Sequence, residues 1–337
     1  MSIDKNRHIS LTGIKPTGTP HLGNYVGAIK PALQLIDESA VALYFIADYH
    51  ALTLIHDPKL LDQLIYEVAA TWLAFGLDTD KVVFYRQSDL PEVFELSWIL
   101  GCMTAKGLMN RAHAYKAAIA QNEAAGNADL DAGINMGLYH YPVLMAADIL
   151  LFDADIVPVG KDQVQHVEIA RDIAQHFNHT FGETLVLPNA RLQATAAAIP
   201  GLDGRKMSKS YGNTIPLFSD RDKLRKLLFK FVTDSSSPAE PKDPATSPLF
   251  ALYREFASDD QTEAMRQRFA AGIGWGTVKQ ELFEVMDAFL TEPRQRYTEL
   301  LHDRRQIDAL LAAGAKRARE LAHPTMDRVR RAIGARS

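Results

Sequence analysis

The chain has 337 residues, 47% hydrophobic and 23% charged, the balance of an ordinary globular protein with room for about two domains. Its net charge of −4 gives no overall attraction for nucleic acid, so any polyanion contact has to come from local patches. One cysteine, Cys102, excludes an internal disulfide and a multi-cysteine zinc site; with no leader-like start and no run of about 18 apolar residues, the chain reads as cytoplasmic.

His8–Thr12 is expected as a short strand running into the Gly/Pro loop Gly13–Pro20, then His21-Leu22-Gly23-Asn24 and a helix to about Leu35. A strand, a glycine-rich loop and a helix start form the unit in which backbone amides meet phosphate. The pattern repeats. Val41–Ala47 is a strand ending in Asp48-Tyr49-His50, and Pro58–Phe75 a helix. Lys81–Tyr85 is a strand ending in Arg86-Gln87-Ser88, and Pro91–Met103 a helix. Such alternation predicts an α/β fold, a Rossmann-like doubly wound parallel sheet with ligands beyond the carboxyl ends of its strands.

Gly107–Asn135 breaks the regularity and reads as an insertion, either a solvated connection or a dimer contact, centred on about 105–135. Tyr141–Phe152 follows as a very apolar helix with Tyr141, Met145 and Asp148 on one face. A carboxylate there needs a partner. Asp148 is either a capping or ion-paired helix residue, or a ligand-facing acceptor beside an aromatic ring and a thioether. Asp155–Gly160 is a further strand and turn, and Lys161–His166 opens a helix to about Phe177. Asp162 either caps that helix or joins Gln163 in recognising a ligand.

Lys206-Met207-Ser208-Lys209-Ser210 lies on a glycine-flanked loop. Two lysines three apart can clamp a polyphosphate, and equally can be a solvated surface loop. From about Asp220 the chain reads as helices with a Pro-rich break at Ser235–Pro248, and Val278, Leu282, Val285, Met286 and Phe289 share helical spacing. Arg304, Arg305, Lys316, Arg317, Arg319, Arg328, Arg330 and Arg331 make the end basic, either as an RNA-backbone surface or as a solvated face.

In order, His21–Asn24 resembles the HIGH motif and Lys206–Ser210 is a complete KMSKS motif, with an α/β sheet between them. The pair resembles the class I aminoacyl-tRNA synthetases. Phe45–Thr53, Tyr141–Leu151 and Val157–Gln163 narrow the resemblance, from about residue 8 onward, to the tryptophanyl-tRNA synthetase family. Met145 stands where the related tyrosyl enzymes usually carry a glutamine. A thioether packs on an indole but cannot hydrogen-bond a phenol as an amide does. Lys15 and Lys161 stand where Gln and Glu are common in the family, and Leu11 where an aromatic is frequent.

The resemblance implies activation of L-tryptophan by ATP with Mg²⁺, then transfer to tRNA(Trp) by a cytoplasmic homodimer. It implies a catalytic domain over 1–215 carrying a dimer-forming insertion at about 105–135, and a helical anticodon-binding domain over 216–337. His21, Asn24, Lys206 and Lys209 are the implied catalytic residues. Lys15, Thr17, Gly18, Gly23, Gly160, Asp162, Met207, Ser208 and Ser210 join them around ATP. Asp148, Met145, Tyr141, His50, Val157, Val159, Gln163 and Leu11 are expected around tryptophan. The competing readings are a tyrosine-specific synthetase, a non-catalytic synthetase-like RNA-binding protein and a nucleotidylyltransferase.

Overall fold

A computed structural model describes residues 9–36, 39–160, 163–192 and 199–335. Five strands, β1 (Ile9–Ile14), β2 (Val41–Ile46), β3 (Val82–Arg86), β4 (Ile156–Val159) and β5 (Asn189–Leu192), form one parallel sheet in the order β3-β2-β1-β4-β5. From Ala42 to Ile46 and from Val82 to Tyr85 the side chains of β2 and β3 are buried on both faces, as a parallel sheet covered by helices requires. One apolar cluster joins Leu22, Tyr44, Trp72 and Phe84 to the C-terminal helices through Leu224, Met286 and Leu311. The other joins Leu11, Phe45 and Tyr85 to the helices on the opposite face.

The strand order reverses at β1. β1 pairs with β2 along its whole length, from Ile9↔Val41 to Ile14↔Ile46, whereas among the described residues it meets β4 only at Ser10↔Ile156. Beyond that pair the carboxyl ends of β1 and β4 are unladdered, which leaves the crevice where doubly wound sheets bind ligands.

Among the differences from the sequence reading, two boundaries and one strand have local reasons. β1 continues through Gly13 and Ile14 because both pair with β2. The helix expected from Tyr141 begins at Met136, because the Asn135 side chain accepts the Leu138 N–H (2.8 Å) and caps it, leaving Pro142 inside. β5 was not foreseen: it is four residues long, mostly exposed and without an apolar run.

The unit expected over 216–337 divides in its packing. Helices Arg221–Phe229, Pro248–Tyr253, Asp259–Ala271 and Trp275–His302 are followed by helix Arg304–Ala332, which returns to edge strand β3. Ile307 and Leu311 enter one apolar cluster, and Ala315, Ala318 and Ala322 the other, so this helix crosses the sheet edge. Gly314 makes the crossing possible, since a Cβ there would overlap the Phe84 carbonyl. Gly314→Ala is therefore expected to cost about 3 kcal/mol or more, because a backbone carbonyl cannot swing aside; denaturant midpoints check this, and an unchanged midpoint refutes the contact.

Five arginines of this helix do not form a free RNA-facing stripe, whereas among the described residues Arg305 pairs only with the adjacent Asp303 and Arg331 donates only to the Asp327 carbonyl of the same helix. Arg304 pairs with Asp62 (2.8 Å), Arg328 with Asp153 (2.7 Å) and Arg330 with Glu95 (2.5 Å). Arg317 donates to the Thr79 carbonyl (2.7 Å) and Arg319 to that of Asp89 (2.7 Å). They staple the helix to the sheet domain, an arrangement that composition cannot distinguish from a solvated basic face.

Candidate active site

The loop after β1 builds one end of the crevice. The His21 N–H donates to Asn24 Oδ1 (3.0 Å), fixing the turn that starts the helix. Backbone bonds from Leu22 N to the Ile215 carbonyl (3.0 Å) and from Leu217 N to the Pro20 carbonyl (3.1 Å) lace this turn to the segment after the lysine loop. The two motifs, far apart in sequence, are thus neighbours. The His21 imidazole lies over Gly23, and burial, with the Lys209 charge second, holds its pKa down to about 4. It is neutral at pH 7, and among the described residues its buried Nδ1 has no partner.

Gly18 adopts φ +142° with the Lys209 ammonium against it: a Cβ there would lie 2.7 Å from Nζ. Lys15, Thr17, Gly18, Asn24 and Lys209 line a cavity of about 50 Å³, room for a few waters rather than for a nucleoside triphosphate. The lysine loop is folded down into the crevice. Met207 anchors it in the core, while Lys206, Lys209 and Ser210 are exposed and Ser208 partly so. Asn213 straps the loop: its Oδ1 accepts the Ser208 N–H (2.8 Å), and its Nδ2 donates to Asp203 (2.7 Å) and to the Lys206 carbonyl (3.1 Å). Of the two lysines, only Lys209 lines the cavity.

At the other end the Asp148 carboxylate is 1% exposed. His50 Nε2 lies 3.0 Å from its Oδ2, and the Gln87 amide donates to both oxygens (2.9 Å each). Burial pushes the Asp148 carboxyl up, while His50 and Gln87 oppose that shift by holding the charged form. Tyr141 is hydrogen-bonded to His166 Nε2 and meets the His50 ring edge-on at 6.1 Å. Leu11, Val157 and Val159 are buried in the cluster that Met145 packs against. The Gln163 N–H donates to the Gly160 carbonyl (3.0 Å), so this turn closes the same end of β4. Lys161 and Asp162 lie outside the described residues.

Lys15 links the two ends. Its ammonium donates to Thr53 Oγ1 (2.8 Å), whose own hydroxyl donates to the His50 carbonyl (2.8 Å). Four residues that hold this arrangement received no role from the sequence. Gln87 was visible only as a polar residue at a strand end, and His166 as a polar residue three after Gln163. Thr53 lay inside a matched stretch, and Asn213 just after the lysine loop.

Residues 4–291 match the family model described as tRNA synthetases class I (W and Y). The chain is 56% identical to the tryptophan–tRNA ligase of Pseudomonas aeruginosa over 97% of its own length and 74% of that protein's. It is 52% identical to that of Neisseria meningitidis, with 97% of each covered. Its fold superposes on the tryptophanyl-tRNA synthetase of Campylobacter jejuni, crystallised with ADP and tryptophan, with a TM-score of 0.88 and 43% identity over 97% of this chain and 99% of that one. The chain belongs to the class I tRNA synthetases of the tryptophan and tyrosine group, and within it to the tryptophan–tRNA ligases.

Proposed function

We propose that this protein activates L-tryptophan with ATP, releasing pyrophosphate, and transfers the tryptophanyl group to tRNA(Trp). The observation that carries the reading is the pairing, across one crevice, of a buried acceptor at Asp148 with a phosphate-type loop where Lys209 lies on Gly18. Asp148, fixed by His50 and Gln87, accepts the indole N–H, and Met145, Leu11, Val157 and Val159 surround the ring. Tyr141, with Gln163, faces the α-amino end. Such a site rejects phenylalanine, because a buried carboxylate would be left unpaired.

The tryptophan carboxylate is already a nucleophile, so the first step needs positioning and charge stabilisation rather than a general base. Neutral His21 and Asn24 hold phosphate oxygens at the helix start. Lys209 and, after the loop moves, Lys206 carry the β- and γ-phosphates. Thr17, Gly18, Gly23, Gly160, Asp162, Met207, Ser208 and Ser210 complete the nucleotide's surroundings. Mg²⁺ enters as the counter-ion of ATP, part of the substrate. The deciding assay is ATP–pyrophosphate exchange: tryptophan supports it, tyrosine does not, and the reverse result makes this a tyrosyl enzyme.

We further place the protein in the cytoplasm as a homodimer. Among the described residues no helix is long and apolar enough to cross a membrane. Trp98 (75% exposed) and Met136 (73%) stand beside a groove of about 500 Å³ lined by Tyr49, Leu52, Phe94 and Leu144, an apolar patch of the kind that marks an interface. This patch adjoins the insertion at about 105–135, whose helix His113–Ala124 buries no residue within the protomer. Trp98→Glu is expected to halve the mass seen by sedimentation equilibrium, and a variant of unchanged mass moves the interface elsewhere.

A further inference from the structure

We infer that Glu67 is a positioning residue, the buried counter-charge that draws the Lys209 ammonium across the nucleotide cavity before ATP arrives and that the phosphates must displace; this rests on the function proposed above. Glu67 lies in helix Pro58–Ala74, which also supplies Val68, Thr71 and Trp72 to the wall of the cavity that holds Lys209. Glu67 and Thr71 are one turn apart and share a face of that helix. At 6% exposure Glu67 is inside the protein. The Gln63 amide donates to its Oε1 (2.7 Å), but its Oε2 is buried and, among the described residues, has no hydrogen-bond partner. The Thr71 hydroxyl does not serve it, since that hydroxyl donates to the Glu67 carbonyl (2.6 Å).

A buried carboxylate served by one neutral amide is costly, and what it lacks is a cation. Lys209 supplies one. Its Nζ is packed on Gly18 in the cavity that Thr71 walls. Burial lowers the Lys209 pKa, and the Glu67 charge opposes that fall. The same charge acts on the far side of the helix, where burial first and Glu67 second push the Tyr297 hydroxyl up. Among the described residues no carboxylate is bonded directly to Lys209, so the attraction acts across a gap and a stronger anion can overcome it. The cavity of about 50 Å³ admits no triphosphate while the ammonium fills its mouth. Binding of ATP therefore exchanges Glu67 for phosphate as the partner of Lys209. An attraction made in the free protein and lost in both the ATP complex and the transition state weakens ATP binding without slowing the chemical step.

The test compares the whole protein with Glu67→Gln, checked for folding by thermal melting, in two assays. In tryptophan-dependent exchange at varied ATP, Glu67→Gln is expected to lower the KM for ATP about fivefold and to leave kcat within about twofold. A residue that only supports the fold would shift KM the other way or lower kcat. In the ligand-free protein, acetylation of Lys209 by acetic anhydride, read by mass spectrometry, should quicken about fivefold in the variant, because the amine is released from its counter-charge. Lys242, buried and donating to the Ser237 (2.7 Å) and Glu240 (2.9 Å) carbonyls, is the control for general loosening and should keep its rate. Glu67→Asp, which keeps the charge, should stay within about twofold of the unmodified protein in both assays, and Glu67→Met gives the Gln pattern should the Gln variant fail to fold. An unchanged or raised KM for ATP, or equal quickening at Lys209 and Lys242, overturns the assignment. Absence of exchange in the unmodified protein overturns the functional reading instead, and the acetylation ratio, which needs no turnover, still decides whether Glu67 holds Lys209.

Discussion

Lys209→Ala is expected to lower the rate of tryptophan-dependent pyrophosphate exchange by on the order of 10²–10³ while changing tryptophan affinity by no more than about twofold. The asymmetry follows from where the ammonium sits. Lys209 Nζ lies on Gly18, at the nucleotide end of the crevice, in the cavity lined by Lys15, Thr17 and Asn24. Its charge acts on the leaving pyrophosphate, where negative charge grows in the transition state. The fold should survive, because the loop is held by Met207 and by the Asn213 bonds rather than by Lys209. Stopped-flow measurement of adenylate formation beside equilibrium binding of tryptophan separates the two quantities. Near-normal exchange in the variant would sink the assignment of this lysine to the phosphates.

Asp148→Ala has the second large effect, and of the opposite kind. The unmodified protein is expected to prefer tryptophan over the analogue with sulfur in place of the indole N–H by on the order of 10²-fold, the worth of a hydrogen bond to a charged acceptor. In the variant that ratio should collapse to about one. The same change strands the Gln87 amide and His50, both buried, so stability should fall by about 1–3 kcal/mol for each donor left unpaired. Stability alone does not decide the role, since a purely structural Asp148 would also destabilise the core. Only the ratio between the two ligands does, and a folded variant that keeps the preference returns Asp148 to the framework.

Much of this was legible in the sequence because it is local. The strand–loop–helix rhythm follows from apolar periodicity and from Gly and Pro at the breaks, and helix Pro91–Met103 has its expected bounds. Asp148 stood out because a carboxylate in an apolar helix demands a partner. The partner's identity is not local: Gln87 is 61 residues away and His50 98. Pairing across a sheet depends on strand order, which periodicity does not encode. The arginines after residue 303 show the same limit, since the number of charges on a helix says nothing of which carbonyls and carboxylates it meets. Gly314 left only the trace of a glycine in mid-helix, a costly residue there unless something must come close.

The covering of β3 by helix Arg304–Ala332 also bears on synthesis of the chain. β3 is the outer strand, formed by residues 82–86, yet the helix that masks its edge is not complete until residue 332 has left the ribosome. For most of translation the nascent sheet carries an open row of amides and carbonyls, the kind of edge that recruits other strands. Docking of Gly314 on Phe84 closes that edge and, with Arg317 bound to the Thr79 and Val82 carbonyls, occupies groups a foreign strand would use. Truncated chains lacking this helix are thus the species on which chaperones and proteases have most to grip.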